Sequence, residues 1–130
     1  MQARDLALWQ ARGRIAVGAA FALAPGLAGR HWIGADATRP PVKVVTRALG
    51  ARDLVLGLGV MLALDRGAPV RGWLEGAALA DAVDMAATLL AGDSIPELAR
   101  RSAVLIAGGS TALAAALARA LDEPVPAAAY

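Results

Sequence analysis

The chain has no cysteine, so disulfide scaffolds, cysteine-ligated zinc and thiol redox chemistry are all excluded. Histidine occurs once, at His31, and a metal site needs more ligands than that. No metal site and no cofactor are therefore expected. Aromatic residues make up 4% of the 130 residues, too few for the stacking surfaces of single-strand nucleic-acid binders. Charged residues are also sparse, at 18% against the roughly 25% of ordinary soluble domains. Lys43 is the sole lysine, the arginines are scattered, and formal net charge is +2, so no nucleic-acid partner is expected. What fills the chain is apolar: 58% of residues, much of it alanine, which excludes intrinsic disorder and fits one domain at this length.

Alanine and leucine dominate, β-branched residues are few, and no stretch alternates apolar with polar residues at period two. Helix is favoured almost everywhere. Breakers divide the chain at Pro25-Gly26, at a polar loop closing with Arg39-Pro40-Pro41, at Asp65-Arg66-Gly67-Ala68-Pro69, and at Gly92-Asp93-Ser94-Ile95-Pro96. Four helices are predicted, over 5–24, 42–64, 70–91 and 96–121, with a frayed tail over 122–130. Ser94, Pro96 and Glu97 suggest an N-cap opening the last helix.

About 20 residues at 1.5 Å rise cross a bilayer's ~30 Å core, and each predicted helix is about that long or longer. The expected fold is therefore an all-α, four-helix transmembrane bundle, multi-pass in the plasma membrane of a bacterium. Residues 54–64 read Leu-Val-Leu-Gly-Leu-Gly-Val-Met-Leu-Ala-Leu, which leaves that half-helix no wet face. The opposing signal is that only 15–29 and 102–118 are long runs without charge, both short of ~18 residues. A soluble helical bundle stays open on that ground. The basic N-terminus before an apolar run imitates a signal peptide, but Pro25 follows the small-residue site directly, so a retained first helix is expected. Arginines fall toward both sides, and the positive-inside rule selects no orientation.

Ionisable residues at mid-helix are the informative feature. With the second and third helices antiparallel about Gly67, Asp53 and Asp81 lie equally far from the turn and share a level. Arg14 on the first helix falls opposite Asp53. Arg14, Arg47 and Arg52 would then balance Asp53, Asp81 and Asp84, because a charge at the bilayer centre costs about 2.5–3.5 kcal/mol. Asp81 and Asp84 share a side with Ala77 and Thr88, while Thr46, Gly50, Asp53 and Gly57 form a small-residue stripe expected to mate with it. Glu75 is expected to pair with Arg71, and Gly108-Gly109-Ser110-Thr111 to be a close-packing patch in the last helix. His31 and Trp32 are expected at a membrane interface, with Trp9 and Trp73 at the opposite one.

The segment Gly50-Ala51-Arg52-Asp53-Leu54-Val55-Leu56-Gly57 resembles the Gly-x-Arg-Asp-Leu-x-Leu-Gly motif of small four-helix integral membrane proteins of actinobacteria and fungi, a domain of unknown function. The resemblance covers roughly the first three helices. It implies Arg52, Asp53, Asp81 and Asp84 as a polar signature and brings no activity with it. Three functions are compatible with these residues. The first is a structural or interaction subunit, with the lipid bilayer as its setting and a homo-oligomer or larger membrane complex as partner, its ion pairs fixing helix register. The second is a carrier or binding protein for a small lipophilic ligand at the charged cluster. The third is an intramembrane acid–base enzyme using Asp81 and Asp84 as paired carboxylates.

Overall fold

A computed structural model describes residues 1–121, so the tail predicted to fray over 122–130 lies outside the described residues. Those residues fold into five α-helices and no strand: α1 (Ala3–Leu23), α2 (Pro25–Ile33), α3 (Pro40–Asp65), α4 (Arg71–Ala91) and α5 (Glu97–Ala120). The four long helices fall where the sequence predicts them. The fifth, α2, corrects the reading of Pro25-Gly26 as the start of a non-helical connection. Proline at the first helical position loses no hydrogen bond it would otherwise make, so Pro25 ends α1 and immediately opens α2. A 3₁₀ turn, Gly34–Thr38, then leads to Pro40, which starts α3 in the same way.

Gly67 and Gly92 take φ values of +63° and +55°, which a side chain would resist, and each reverses the chain after a long helix. Ser94 does not cap α5. It ends a second 3₁₀ turn, Gly92–Ser94, and the N-cap position falls to Pro96 with no side-chain cap bond. Proline forces the residue before it into extended backbone, so Ile95 (φ −112°, ψ 136°) separates Ser94 from the helix by too much to reach its N–H groups.

The helices pack as two close pairs, α1 along α3 and α4 along α5, with lighter contact between α3 and α4. This corrects one expected interface. The stripe of Thr46, Gly50, Asp53 and Gly57 was expected to lie against α4, yet its glycines lie against α1, where Gly50 meets Gly18 and Gly57 meets Ala11 and Ile15. Two glycines facing one another permit a backbone approach that the α3–α4 contact lacks.

Near the α3–α4 turn, Ala7, Ala11, Val60, Ala63, Leu64, Val70, Leu74 and Leu117 form an apolar core. Among the described residues Leu74 is the one large side chain fully buried. Beyond that core the buried residues are Pro25, Ile95, alanines, glycines and polar groups, including Arg14, Thr46, Asp53, Asp81 and Thr88. Large apolar side chains instead point outward: Leu23, Val44, Val55, Leu79, Val83, Leu90, Leu105 and Ile106 are all exposed. Among the described residues α5 alone is long and apolar enough to cross a membrane by length and composition, and 17% of its most apolar stretch is buried.

Candidate functional site

Arg14 lies one turn before Gly18 on α1, so the close α1–α3 contact brings its guanidinium to α3. Nη1 donates to Asp53 Oδ1 at 3.0 Å, and Nη2 donates to Asp81 Oδ2 on α4. Both Arg14 and its carboxylate partners are buried, with side chains 7%, 11% and 10% exposed. Arg52 continues the chain of charges. Its Nη1 and Nη2 hold both oxygens of Asp84 at 3.0 and 2.6 Å, a bidentate fork, while Nη2 also reaches Asp53 Oδ1 at 3.2 Å. Asp84, Arg52, Asp53, Arg14 and Asp81 thus form one alternating network joining α1, α3 and α4. The predicted meeting of Asp53 and Asp81 at a single depth is realised through the guanidinium they share.

Arg47 is not part of it. Its side chain is exposed and its Nε donates to the Ala22 carbonyl at 3.3 Å. Arg47 lies five residues before Arg52, more than a full turn, and that places it on a different face of α3. Arg47→Gln is expected to change stability by less than about 0.5 kcal/mol in denaturant titration, as surface substitutions usually do. Glu75 pairs with Arg71 at 2.6 Å on the surface, as its spacing predicts.

Three participants were not assigned to the cluster from sequence. Ser110 on α5 donates from Oγ to Asp81 Oδ2 at 2.6 Å. Gln10 on α1 donates through Nε2 to the Ser110 carbonyl at 3.0 Å and to its Oγ at 3.1 Å. That orientation is fixed because the carbonyl needs a donor, and among the described residues it leaves Gln10 Oε1 buried with no donor. Trp32 directs its indole N–H inward to Thr88 Oγ1 at 2.8 Å, and its ring stacks on Phe21 with centroids 6.0 Å apart. Thr88 in turn donates to the Asp84 carbonyl at 2.7 Å. A signal for Ser110 existed: with Thr111 it puts hydroxyls into an otherwise apolar stretch, although the adjacent glycines suggest packing. Gly108 does pack, since a Cβ there would meet Met85 Sδ at 3.2 Å, whereas Gly109 faces open space.

Above this network lies a cavity of about 540 Å³ between α1, α2, α4 and α5. Arg14, Asp53, Asp81, Asp84, Thr88 and Ser110 line its polar side, while Val17, Phe21, Ala28, Trp32, Ala103 and Ile106 line its apolar side. Val17, His31 and Ile106 are exposed, so the cavity communicates with the exterior. Asp81 and Asp84 are each drawn to a different guanidinium, unlike two carboxylates that share a proton. Among the described residues no group of three histidine, aspartate or glutamate side chains forms a metal-binding arrangement. No protein family, curated protein or solved structure matches the chain.

Proposed function

We propose that this chain is a multi-pass helical membrane protein that binds or carries a small amphiphilic molecule in the cavity between α1, α2, α4 and α5. The observation that carries the reading is the cavity itself. Its volume falls in the range of small-molecule sites, and it combines apolar walls with a few convergent polar groups. A purely structural role accounts for the ion pairs but not for the space beside them. Association through small-residue faces is also less favoured, because Gly18, Gly50 and Gly57 are occupied within the chain.

The membrane setting is supported by where each kind of side chain goes. Water-soluble proteins bury leucine and valine and expose charge. Here Arg14, Asp53 and Asp81 are interior, while α1, α3, α4 and α5 all present leucine or valine outward. Inward charges account for part of the low mean hydropathy of α1, α3 and α4, and Arg12, Arg47 and Glu75 add exposed charge to the same helices. The resemblance of residues 50–57 to small membrane proteins agrees with this setting.

Two measurements test the reading. The protein is expected to sediment with membranes and to require detergent for extraction; a monodisperse protein in the detergent-free soluble fraction would overturn the membrane assignment. Purified in detergent, it is expected to bind the neutral aryl alcohol triphenylmethanol saturably in equilibrium dialysis against a detergent blank. Ala107→Trp, which fills the cavity from α5, is expected to weaken that binding at least tenfold with an unchanged helical circular dichroism spectrum. Binding that Ala107→Trp leaves intact would remove the cavity as the site.

A further inference from the structure

The charges lining the cavity do not balance. Asp53, Asp81 and Asp84 face two guanidiniums, Arg14 and Arg52, which formally leaves one negative charge over. The other elements do not correct it: α5 contributes the neutral Ser110, and α2 contributes His31 at the exposed rim. Arginine holds its proton in proteins, so the guanidiniums cannot adjust.

Asp81 is the least paired of the three: Asp53 meets both Arg14 and Arg52, Asp84 meets two nitrogens of Arg52, and Asp81 meets one nitrogen of Arg14. Among the described residues, both side-chain hydrogen bonds that Asp81 receives, from Arg14 and from Ser110, fall on Oδ2. Its Oδ1 therefore remains to accept from whatever enters the cavity that Asp81 lines. The same cavity is lined by the stacked rings of Phe21 and Trp32, which offer aromatic surface, and Trp32's indole N–H is already taken up by Thr88. A carboxylate oxygen and aromatic surface lining one cavity match one class of ligand: a cation that carries its own apolar substituents.

We propose that the cavity selects lipophilic monocations, organic amines in their ammonium form or quaternary onium ions, with Asp81 as the counter-ion and Phe21 and Trp32 as the aromatic wall. This rests on the cavity being a ligand site, as argued above. A neutral amphiphile fits the space but leaves the charge unbalanced. An anion adds to the surplus.

Tetraphenylphosphonium and tetraphenylborate provide the test, because they share size and shape and differ in sign. Dialysed against the full chain in detergent, tetraphenylphosphonium is expected to bind one per chain, at least tenfold tighter than triphenylmethanol. Tetraphenylborate is expected to bind at least tenfold more weakly than the alcohol. Asp81→Asn is expected to reduce the phosphonium affinity toward that of the alcohol. If this variant does not fold, the comparison of the three probes on the unaltered chain decides. Equal affinity for all three, or preference for the borate, would overturn the charge selection while leaving the cavity as a site. Binding of none of them would overturn the cavity reading as well.

Discussion

Arg14→Ala is expected to destabilise the protein by about 3–5 kcal/mol, the range found when one partner of a buried ion pair is removed. Two carboxylates depend on this one guanidinium. Asp53 would keep Arg52, but Asp81 would keep only the Ser110 hydroxyl, and both are about nine-tenths buried. Without Arg14, two negative charges from α3 and α4 would face each other with no cation between them. Unfolding in a denaturing detergent titration measures the loss. Arg14→Lys is expected to recover only part of it, because an ammonium lacks the planar fork that reaches Asp53 through Nη1 and Asp81 through Nη2. The electrostatic cause has its own control. Arg14→Met combined with Asp53→Asn and Asp81→Asn removes the charges together and is expected to be markedly more stable than Arg14→Ala alone. Equal stability of the two would mean that Arg14 acts through packing.

Much of this centre could be read in the sequence. The pairing of Asp53 with Asp81, and of both with Arg14, follows from uniform helical rise and the position of one turn. Asp84 is one turn further along the same side of α4, and Arg52 reaches it from α3. Arg47 was misassigned because charge balance counts residues without asking which face they occupy. Gln10 and Ser110 were missed for a different reason. Gln10 and Ser110 lie a hundred residues apart and Ser110 lies 29 from Asp81, and a hydroxyl or amide carries no periodicity that would reveal contacts at such separations.

The pairing of helices was also hidden. Thr46, Gly50, Asp53 and Gly57 share a face, and periodicity identifies the face correctly. It does not identify the neighbour. That depends on which other helix brings a glycine to the same depth, and Gly18 on α1 does so. The cavity was legible least of all. It exists because α2 turns across the end of α1, carrying Trp32 and Ala28 over the space beside Phe21, and that turn arises at Pro25, which from sequence alone signals only an ending.

Gly50→Val is the second substitution with a large expected effect, because the atoms it would strike cannot move aside. A Cβ at Gly50 would lie 2.6 Å from the Gly18 carbonyl oxygen, 2.7 Å from the Ala22 nitrogen and 2.9 Å from Phe21 Cβ. Two of these are backbone, so relief requires α1 to shift away from α3. Overpacking that forces side chains and backbone to shift typically costs about 1–3 kcal/mol. Here the shift would also move Arg14, one turn from Gly18, away from Asp53, one turn from Gly50. The loss is therefore expected to reach at least the upper part of that range, and to be non-additive with Arg14→Lys in a double-mutant cycle. Gly109→Ala supplies the contrast. Gly109 is helical, exposed and has nothing within 4 Å of its Cβ position, so alanine there is expected to stabilise by about 0.5–1 kcal/mol through helix propensity alone. Stability lost equally at both positions would mean that glycine is needed for helix flexibility, and not for the contact between α1 and α3 that sets the ion pairs.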